Sequence, residues 1–372
     1  MLGRLPDFAN ARRLIVKVGS ALLVAGGEPR GTWLASLARD VAVLRAGGTQ
    51  VVIVSSGAIA LGAARLKLAR GGRGSLADAQ AAASVGQIAL AGLWSEALGN
   101  EDLIAAQMLL TLDDLEDRRR YLNAAATFDR LLEAGAVPVV NENDSVATSE
   151  IRFGDNDRLA ARVAQAAGAE GVLLLSDVDG LYDRDPRVPG ATLVPQVAGV
   201  NEAVLAMASP ASGSGLGSGG MTSKLQAAQI AERAGIALAI INGTHDAPIA
   251  RALASGTGTV FAPRRGSSAR QAWLGGRLSP KGVLTVDEGC AQALTGGASL
   301  LAAGVTEVAG GFARGDLVTV VGARGDRLAQ GLCEYSALDC HAIAGLRLEA
   351  QGAALGYAPR AAVIHRDHLV LL

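Results

Sequence analysis

Aromatic residues and net charge are both scarce in this chain of 372 residues. Phe, Trp and Tyr make up 3% of the sequence while half of its residues are hydrophobic, so the core must consist of Ala, Val, Leu and Ile. A net charge of −1 excludes bulk attraction to nucleic acid or to an anionic membrane. No apolar run approaches the roughly 20 residues that cross a bilayer, and residues 1–6 lack the apolar core of a signal peptide. We therefore expect a cytoplasmic protein.

Cysteine is also rare, with three residues in the whole chain. An odd, widely spaced set argues against a disulfide framework. Cys340 precedes His341, but no spacing typical of a zinc site accompanies this pair. We therefore expect Cys290, Cys333 and Cys340 to be buried free thiols.

Glycine, by contrast, is abundant, and strand and helix patterns alternate through the first 260 or so residues. The predicted strands are apolar throughout, which is typical of a mostly parallel sheet whose two faces are both covered by helices. This fold class, α/β with an open sheet, suits a chain with many tight turns between strands and helices. The predicted strands are 14–18, 50–54, 137–140, 171–175 and 236–241, and the predicted helices are 32–46, 79–98, 118–134, 158–167 and 222–234.

The pattern changes near residue 262, where a polar stretch rich in Arg, Gly and Ser begins. Beyond it, short strand signals at 282–286, 317–321 and 361–364 are separated by glycine-rich turns. We therefore predict a first domain at 1–262, a linker at 263–279 and a small β-rich domain at 280–372. The last of these carries 7 Lys and Arg against 9 Asp and Glu, a balance of −2.

Two polar blocks mark a candidate binding site. Asn141 and Asp144 lie just beyond the predicted strand 137–140. Asn156 and Asp157 follow in a second polar block, within about twenty residues of the first. In open α/β sheets, ligands bind beyond the carboxyl ends of the strands. The alternative is an ordinary turn rich in Asn and Asp. Two such blocks favour a site for a small ligand that carries ammonium and carboxylate groups.

A glycine-rich segment, 212–220, precedes the helix that contains Lys224. The backbone N–H groups of such a loop and of a helix N-terminus can bind phosphate. The spacing within 215–220 matches the dinucleotide-binding fingerprint, but 201–209 before it has a helical pattern rather than the strand that this motif requires. The alternative is a flexible Gly/Ser linker, and Lys224 favours phosphate binding over it.

A second basic signal is Lys17, which interrupts an apolar strand. A buried lysine is costly unless it meets an anion. Ser56 ends the next strand before a glycine turn, and a helix N-cap is an equally good interpretation of it. The candidate residues share one property, a position at the end of a strand or the start of a helix, and they are Lys17, Ser56, Asn141, Asp144, Asn156, Asp157, Asp177 and Lys224.

Together, these segments resemble a known family over nearly the whole chain. The most specific segments are 17–20 (KVGS), 54–60 (VSSGAIA), 107–110 (QMLL), 139–144 (VVNEND), 154–157 (GDND), 176–182 (SDVDGLY), 185–186 (DP) and 215–224 (GLGSGGMTSK). They resemble the glutamate 5-kinases of proline biosynthesis, in the amino acid kinase superfamily. Ser218 and Ser223 stand where that family usually has Thr, but both keep the hydroxyl. Residues 285–289 and 363–367 are similar to the PUA domain that many bacterial members carry.

The resemblance implies ATP-dependent phosphorylation of the γ-carboxylate of L-glutamate. It implies catalytic roles for Lys17, Lys224 and Asp157, and contacts to glutamate from Ser56, Asn141, Asp144 and Asn156. The nucleotide contacts that it implies are Lys17, Ser176, Asp177, Ser218, Gly219, Gly220, Met221, Thr222, Ser223 and Lys224. Mg²⁺ is expected with ATP, held mostly by phosphates and water rather than by a metal site of the protein.

The resemblance also implies feedback inhibition by L-proline and assembly into dimers or tetramers. Two other interpretations stay open at this point. One is a relative in the same superfamily that acts on a different carboxylate, carbamate or phosphate, against which the two polar blocks argue. The other is a protein that chiefly binds RNA through the PUA-like domain. The acidic balance of 280–372 and the shortage of aromatic residues argue against RNA binding.

Overall fold

The structure, a computed structural model, describes residues 2–146, 155–208, 220–263 and 280–372. These described residues divide into two units, one formed by 2–116 with 123–263 and the other by 117–122 with 280–372. Each unit has its own sheet and its own hydrophobic core. The domain boundaries given above stay a prediction, because 264–279 lie outside the described residues.

An eight-stranded sheet forms the centre of the first unit. Its strands pair in the order β5-β6-β4-β1-β7-β9-β10-β8, and every neighbouring pair is parallel except β9 with β10. A mostly parallel sheet is therefore confirmed. The strands of this sheet and of a small separate hairpin (β2 with β3) are β1 Arg13–Val18, β2 Val24–Ala25, β3 Glu28–Pro29, β4 Gln50–Ser55, β5 Ala105–Leu110, β6 Val137–Glu142, β7 Gly171–Ser176, β8 Gln196–Val197, β9 Ala237–Asn242 and β10 Thr259–Phe261.

Helices connect these strands, as parallel pairing requires. They are α1 Ser20–Leu23, α2 Gly31–Ala46, α3 Ala58–Leu66, α4 Leu76–Gly99, α5 Leu112–Glu116, α6 Arg118–Glu133, α7 Asp155–Ala166, α8 Glu202–Ala206, α9 Met221–Arg233 and α10 Pro248–Ser255. Within the described ranges, no helix combines the length and apolarity needed to cross a membrane.

The alternation of side chains along each strand divides the central sheet into two faces. On β1, Leu14, Val16 and Val18 belong to the core that also contains residues of α2, α3, α4 and α10. The intervening residues, Ile15 and Lys17, project to the opposite face, where α7 and α9 pack. The strand period therefore directs the amine of Lys17 towards the first turns of α7 and α9.

The second unit contains a five-stranded sheet with the order β12-β11-β13-β14-β15, in which β11 and β13 are parallel and the other pairs antiparallel. Its apolar core includes Leu284, Val320 and Ile343, all fully buried. The elements are β11 Gly282–Val286, α11 Glu288–Thr295, β12 Val305–Gly310, β13 Leu317–Val321, β14 Arg327–Leu332, α12 Ala337–Ile343, α13 Leu348–Leu355 and β15 Leu369–Leu371.

The predicted strand at 361–364 is wrong. Ile364 makes only an isolated antiparallel bridge with Leu300. The Val363 carbonyl accepts a hydrogen bond from the Glu334 N–H, while the Val363 N–H donates to the Leu300 carbonyl. This segment is apolar because Val363 and Ile364 are buried in the core, not because it extends a ladder.

The cysteines are free thiols, as predicted, although their burial differs. Cys333 and Cys340 are buried with their Sγ atoms 3.6 Å apart, whereas Cys290 is only half-buried. Burial raises the pKa of the Cys290 thiol to about 11. The prediction of three buried thiols is therefore correct for two of them.

Candidate functional site

The candidate site forms at the carboxyl edge of the central sheet. In the strand register, Lys17 of β1 lies opposite Val54 on one side and Leu174 on the other. The ends of β4, β1 and β7 are thus level with one another, and β6 pairs with β4 at the same height. The polar residues that follow these strands therefore meet at one edge, as the sequence predicts.

A buried cluster of two lysines and one carboxylate lies at this edge; we call it the lysine–aspartate cluster. The Nζ of Lys17 is 2.5 Å from Oδ1 of Asp157, and the Nζ of Lys224 is 3.5 Å from its Oδ2. Ser223 donates its hydroxyl to the same Oδ2 over 3.1 Å. Asp157 is fully buried in the first turn of α7, and Lys224 is buried in the first turn of α9. All three predicted catalytic side chains are therefore in contact through Asp157.

Burial and charge oppose each other within this cluster. Burial lowers the pKa of Lys17, and Lys224 lowers it further, whereas Asp157 raises it. Burial alone would raise the pKa of Asp157, but the charges of Lys17 and Lys224 outweigh this effect and hold it below its ordinary value. Asp157 is therefore ionised at neutral pH and holds two cationic side chains close together. This arrangement can stabilise negative charge on a bound phosphate.

A second group, the amide cluster, consists of Ser56, Asn141 and Asn156. Asn156 donates its Nδ2 to the hydroxyl of Ser56 over 2.5 Å, and Asn141 donates its Nδ2 to Oε1 of Gln87 over 2.8 Å. The Oδ1 of Asn156 is buried and accepts no hydrogen bond from the residues that the structure describes. A buried acceptor of this kind is costly unless a ligand donates to it.

The turn that carries Ser56 depends on Gly57. Gly57 has a backbone φ of +124°, which residues other than glycine rarely adopt. It directly precedes the first residue of α3. No side chain caps α3, so Ser56 is not the N-cap that the sequence left as an alternative. Asp144, two residues beyond β6, is also buried, with 9% of its surface exposed. Buried carboxylates and amides at one sheet edge suit a small ligand with an ammonium group.

The start of α9 offers backbone donors. Gly220 is its N-cap residue, and no side chain caps the helix there. The first N–H groups of a helix lack intrahelical partners, so this terminus is a suitable anion site. Met221, Thr222 and Ser223 form its first turn. Ser218 and Gly219, which the sequence also assigns to the nucleotide, lie outside the described residues.

The end of β7 supplies the remaining predicted nucleotide contacts. Ser176 is buried and donates its hydroxyl to Oδ1 of Asp177 over 3.2 Å, while Asp177 itself is exposed. Nearby, Asn242 at the end of β9 donates to Asp179 over 2.8 Å. Sequence reasoning missed Asn242, although an Asn-Gly pair that ends an apolar strand is a detectable signal.

Gln87 was also missed, and no local pattern could have revealed it. It lies in the middle of α4, whose sequence is rich in alanine, and its contact with Asn141 depends on how that helix packs.

Over the described residues, no group of three or more His, Cys, Asp and Glu side chains is arranged to hold a metal ion.

Two protein families and several relatives of similar length match this chain. Residues 12–242 match the amino acid kinase family, and residues 282–349 match the PUA domain. A protein of Novosphingobium aromaticivorans called glutamate 5-kinase is 64% identical over 100% of this chain and 99% of its own length. Proteins with the same name from Sphingopyxis alaskensis and Zymomonas mobilis are 61% and 52% identical, each over 98% of this chain, and are covered over 98% and 92% of their lengths.

Proposed function

Because this chain belongs to the amino acid kinase family, we propose that it transfers the γ-phosphoryl group of ATP to the γ-carboxylate of L-glutamate. The product is L-glutamyl 5-phosphate, the first intermediate of proline biosynthesis. The observation that carries the proposal is the meeting of the lysine–aspartate cluster and the amide cluster at one sheet edge. The first suits a phosphate, and the second suits an amino acid.

The lysine–aspartate cluster acts on the transferred phosphoryl group. The substrate carboxylate is itself the nucleophile, so catalysis needs positioning and charge stabilisation rather than a nucleophilic side chain. Lys17 and Lys224 offset the negative charge on the transferred group and on the departing ADP. Asp157 keeps both amines in place through charge-assisted contacts.

The amide cluster and Asp144 bind glutamate. Asp144 receives the substrate ammonium group, which makes it a determinant of affinity rather than of rate. Ser56, Asn141 and Asn156 provide hydroxyl and amide groups that bind carboxylate and ammonium alike. The Oδ1 of Asn156, which has no hydrogen-bond partner among the described residues, then receives a donor from the substrate.

The nucleotide lies along the end of β7 and the start of α9. Ser176 and Asp177 flank it on one side, and the backbone of residues 218–224 holds its phosphates. Divalent metals generally accompany ATP in kinases, and Mg²⁺ is the ion we propose. Asp157, the carboxylate that contacts these lysines, is already engaged by both of them. Such a donor set fits Mg²⁺ that enters with ATP and keeps phosphate and water ligands.

Glutamate-dependent release of ADP from the purified protein tests this function. We expect turnover with L-glutamate and none with L-aspartate, N-acetyl-L-glutamate or acetate at the same concentration. Asp144→Ala should raise the KM for glutamate and leave the KM for ATP unchanged, because the ammonium group changes little during the reaction. Turnover with another carboxylate but not with glutamate would assign the chain to a different activity within the family.

Feedback inhibition by L-proline belongs to the same proposal. Proline has an ammonium group and an α-carboxylate but no γ-carboxylate, so it fits part of the glutamate pocket and cannot be phosphorylated there. We expect competition at a site around Asp144 and Asn141. Calorimetric titration of proline with and without saturating glutamate checks this, since mutual exclusion weakens both ligands by the same factor. Unchanged proline affinity would place the inhibitor at a separate site.

Assembly and location complete the proposal. The family resemblance supports a homo-oligomer, which sedimentation analysis of the purified protein tests. It also supports a cytoplasmic enzyme, which fractionation of cells followed by the ADP-release assay tests.

A further inference from the structure

Helix α4 contacts the ends of two strands that border the candidate glutamate site. Trp94 of α4 donates its Nε1 to the hydroxyl of Ser55 over 2.9 Å, and Ser55 is the fully buried residue before Ser56. About two turns earlier in the same helix, the Oε1 of Gln87 accepts a hydrogen bond from the Nδ2 of Asn141 over 2.8 Å. A single helix thus holds the end of β4 and the end of β6.

The strand period explains why both contacts come from the same helix. Ser55 follows Val51 and Ile53 on one face of β4, and those two residues belong to the core that includes Leu90 of α4. Asn141 follows Val137 and Val139 on the same face of β6. The hydroxyl of Ser55 and the amide of Asn141 therefore lie on an otherwise apolar face. Both groups require polar partners on the helix that covers this face.

Close packing of α3 against α4 fixes the position of Gln87. A Cβ atom on Gly86 would overlap the carbonyl oxygen of Ala58, and one on Gly62 would overlap the carbonyl oxygen of Ala82. The two helices approach each other as closely as their backbones permit. Because α3 begins just after Ser56 and Gly57, this contact ties the position of Gln87 to the site.

The hydrogen bond to Gln87 holds the carboxamide of Asn141 in place at the end of β6. With Nδ2 donating to Gln87, Oδ1 occupies the other end of the group and serves as an acceptor. Loss of Gln87 would remove the acceptor that holds this amide group, and the side chain of Asn141 could then turn away from the substrate. Asn141 is 2% exposed, so water has little access to replace the missing acceptor.

We propose that Gln87 is a positioning residue for glutamate binding, acting through the orientation of Asn141. This inference rests on the proposed function and adds a residue to its substrate pocket. Gln87 acts on binding before the reaction begins and does not contact the transferred phosphoryl group. Its removal therefore weakens glutamate binding and leaves the rate constant of phosphoryl transfer unchanged.

Substitution of Gln87 tests the inference. Gln87→Met keeps the size and helix propensity of the side chain and removes its strong acceptor. We expect the KM for glutamate to rise about tenfold, with kcat and the KM for ATP within twofold of the parent. Gln87→Asn, which is too short for the contact, should give the same rise if Gln87→Met unfolds. Ser84→Ala, at an exposed position of the same helix, is the matched control and should match the parent.

A double-mutant cycle separates positioning from a structural effect on α4. Asn141→Ala should raise the KM for glutamate, and adding Gln87→Met to it should raise the KM no further. Additive effects, or a fall in kcat with an unchanged KM, would overturn the role of Gln87. If Asn141→Ala and Asp144→Ala both leave the KM for glutamate unchanged, the proposed pocket itself is wrong and the inference fails with it. If they raise it and both Gln87 variants match the parent, only the inference fails.

Discussion

Lys17 shows how a single residue can indicate a site. Five of the six residues of β1 are buried, and Lys17 is one of them, with 6% of its surface exposed. The desolvation of an ammonium group is costly, and here Asp157 offsets it at 2.5 Å. The sequence predicts that an anion meets Lys17, and the family resemblance suggests that Asp157 orients Lys17 and Lys224. The structure shows that one carboxylate contacts both amines.

At this scale we expect Lys17→Ala and Lys224→Ala to lose turnover far more than glutamate affinity. Each lysine stabilises charge that grows in the transition state, so either loss should cost about 3 kcal/mol, or roughly a hundredfold in kcat. Steady-state kinetics with both substrates varied measures this. Lys281→Ala, at an exposed lysine of the second unit, is the control. Turnover near that of the parent in either variant would exclude the assigned role.

Asp157→Asn should shift the pH dependence of the reaction. The aspartate raises the pKa of Lys17 against the effects of burial and of Lys224. Its removal lowers the pKa of Lys17 further, so the charged amine is lost at a lower pH than in the parent. The alkaline limb of the kcat profile should therefore move to lower pH. An unmoved limb, measured in a folded variant, would show that this amine does not control the rate.

At the scale of helices and strands, the long buried strands of the central sheet were predictable, whereas edge strands and very short strands were not. Strand β7 is buried at every position and matches its predicted range closely. Strand β5 was missed because it lies at the edge of the sheet and exposes Gln107 and Leu109, which leaves neither an apolar run nor a clean alternation. The antiparallel strand β10, with three residues, is too short to give a pattern.

The same limit applies to the candidate site. Asn141, Asn156 and Asp157 could be predicted because strand ends and helix starts are readable from periodicity. Gln87 could not, because its contact with Asn141 arises from helix packing between residues 54 positions apart in the chain. The implied roles of these residues stay predictions, while their proximity is a property of the fold.

The contact between α3 and α4 makes glycine necessary at Gly86. Gly86→Ala would place a methyl group on the carbonyl oxygen of Ala58, and such overpacking should lower the free energy of unfolding by about 1–3 kcal/mol or more. Gly92→Ala in the same helix is the control, because nothing lies within 4 Å of its Cβ position. Gly92→Ala should raise the free energy of unfolding by about 0.5–1 kcal/mol. Chemical denaturation of both variants checks whether their effects have opposite signs.

At the scale of the whole molecule, we expect a chain truncated near Ala269 to fold and to phosphorylate glutamate. The core that contains Leu14, Trp94 and Val260 lies within the first unit, and the described candidate residues lie before residue 225. The core around Leu284 and Ile343 forms separately. Circular dichroism and the ADP-release assay test the truncated protein. A folded but inactive product would show that the second unit completes the active site.

The native thiols of this protein are poor nucleophiles in the folded state. Thiolate rather than thiol is the nucleophile, and with a pKa of about 11 Cys290 is almost entirely in the thiol form near neutral pH. Cys333 and Cys340 are shielded from reagents by the core, and the contact with Cys333, together with burial, raises the pKa of Cys340. The folded protein should therefore react slowly with a disulfide reagent such as dithionitrobenzoate, and release three equivalents of the coloured thiolate only after denaturation. A cysteine introduced on the surface could then be labelled selectively with all native cysteines in place.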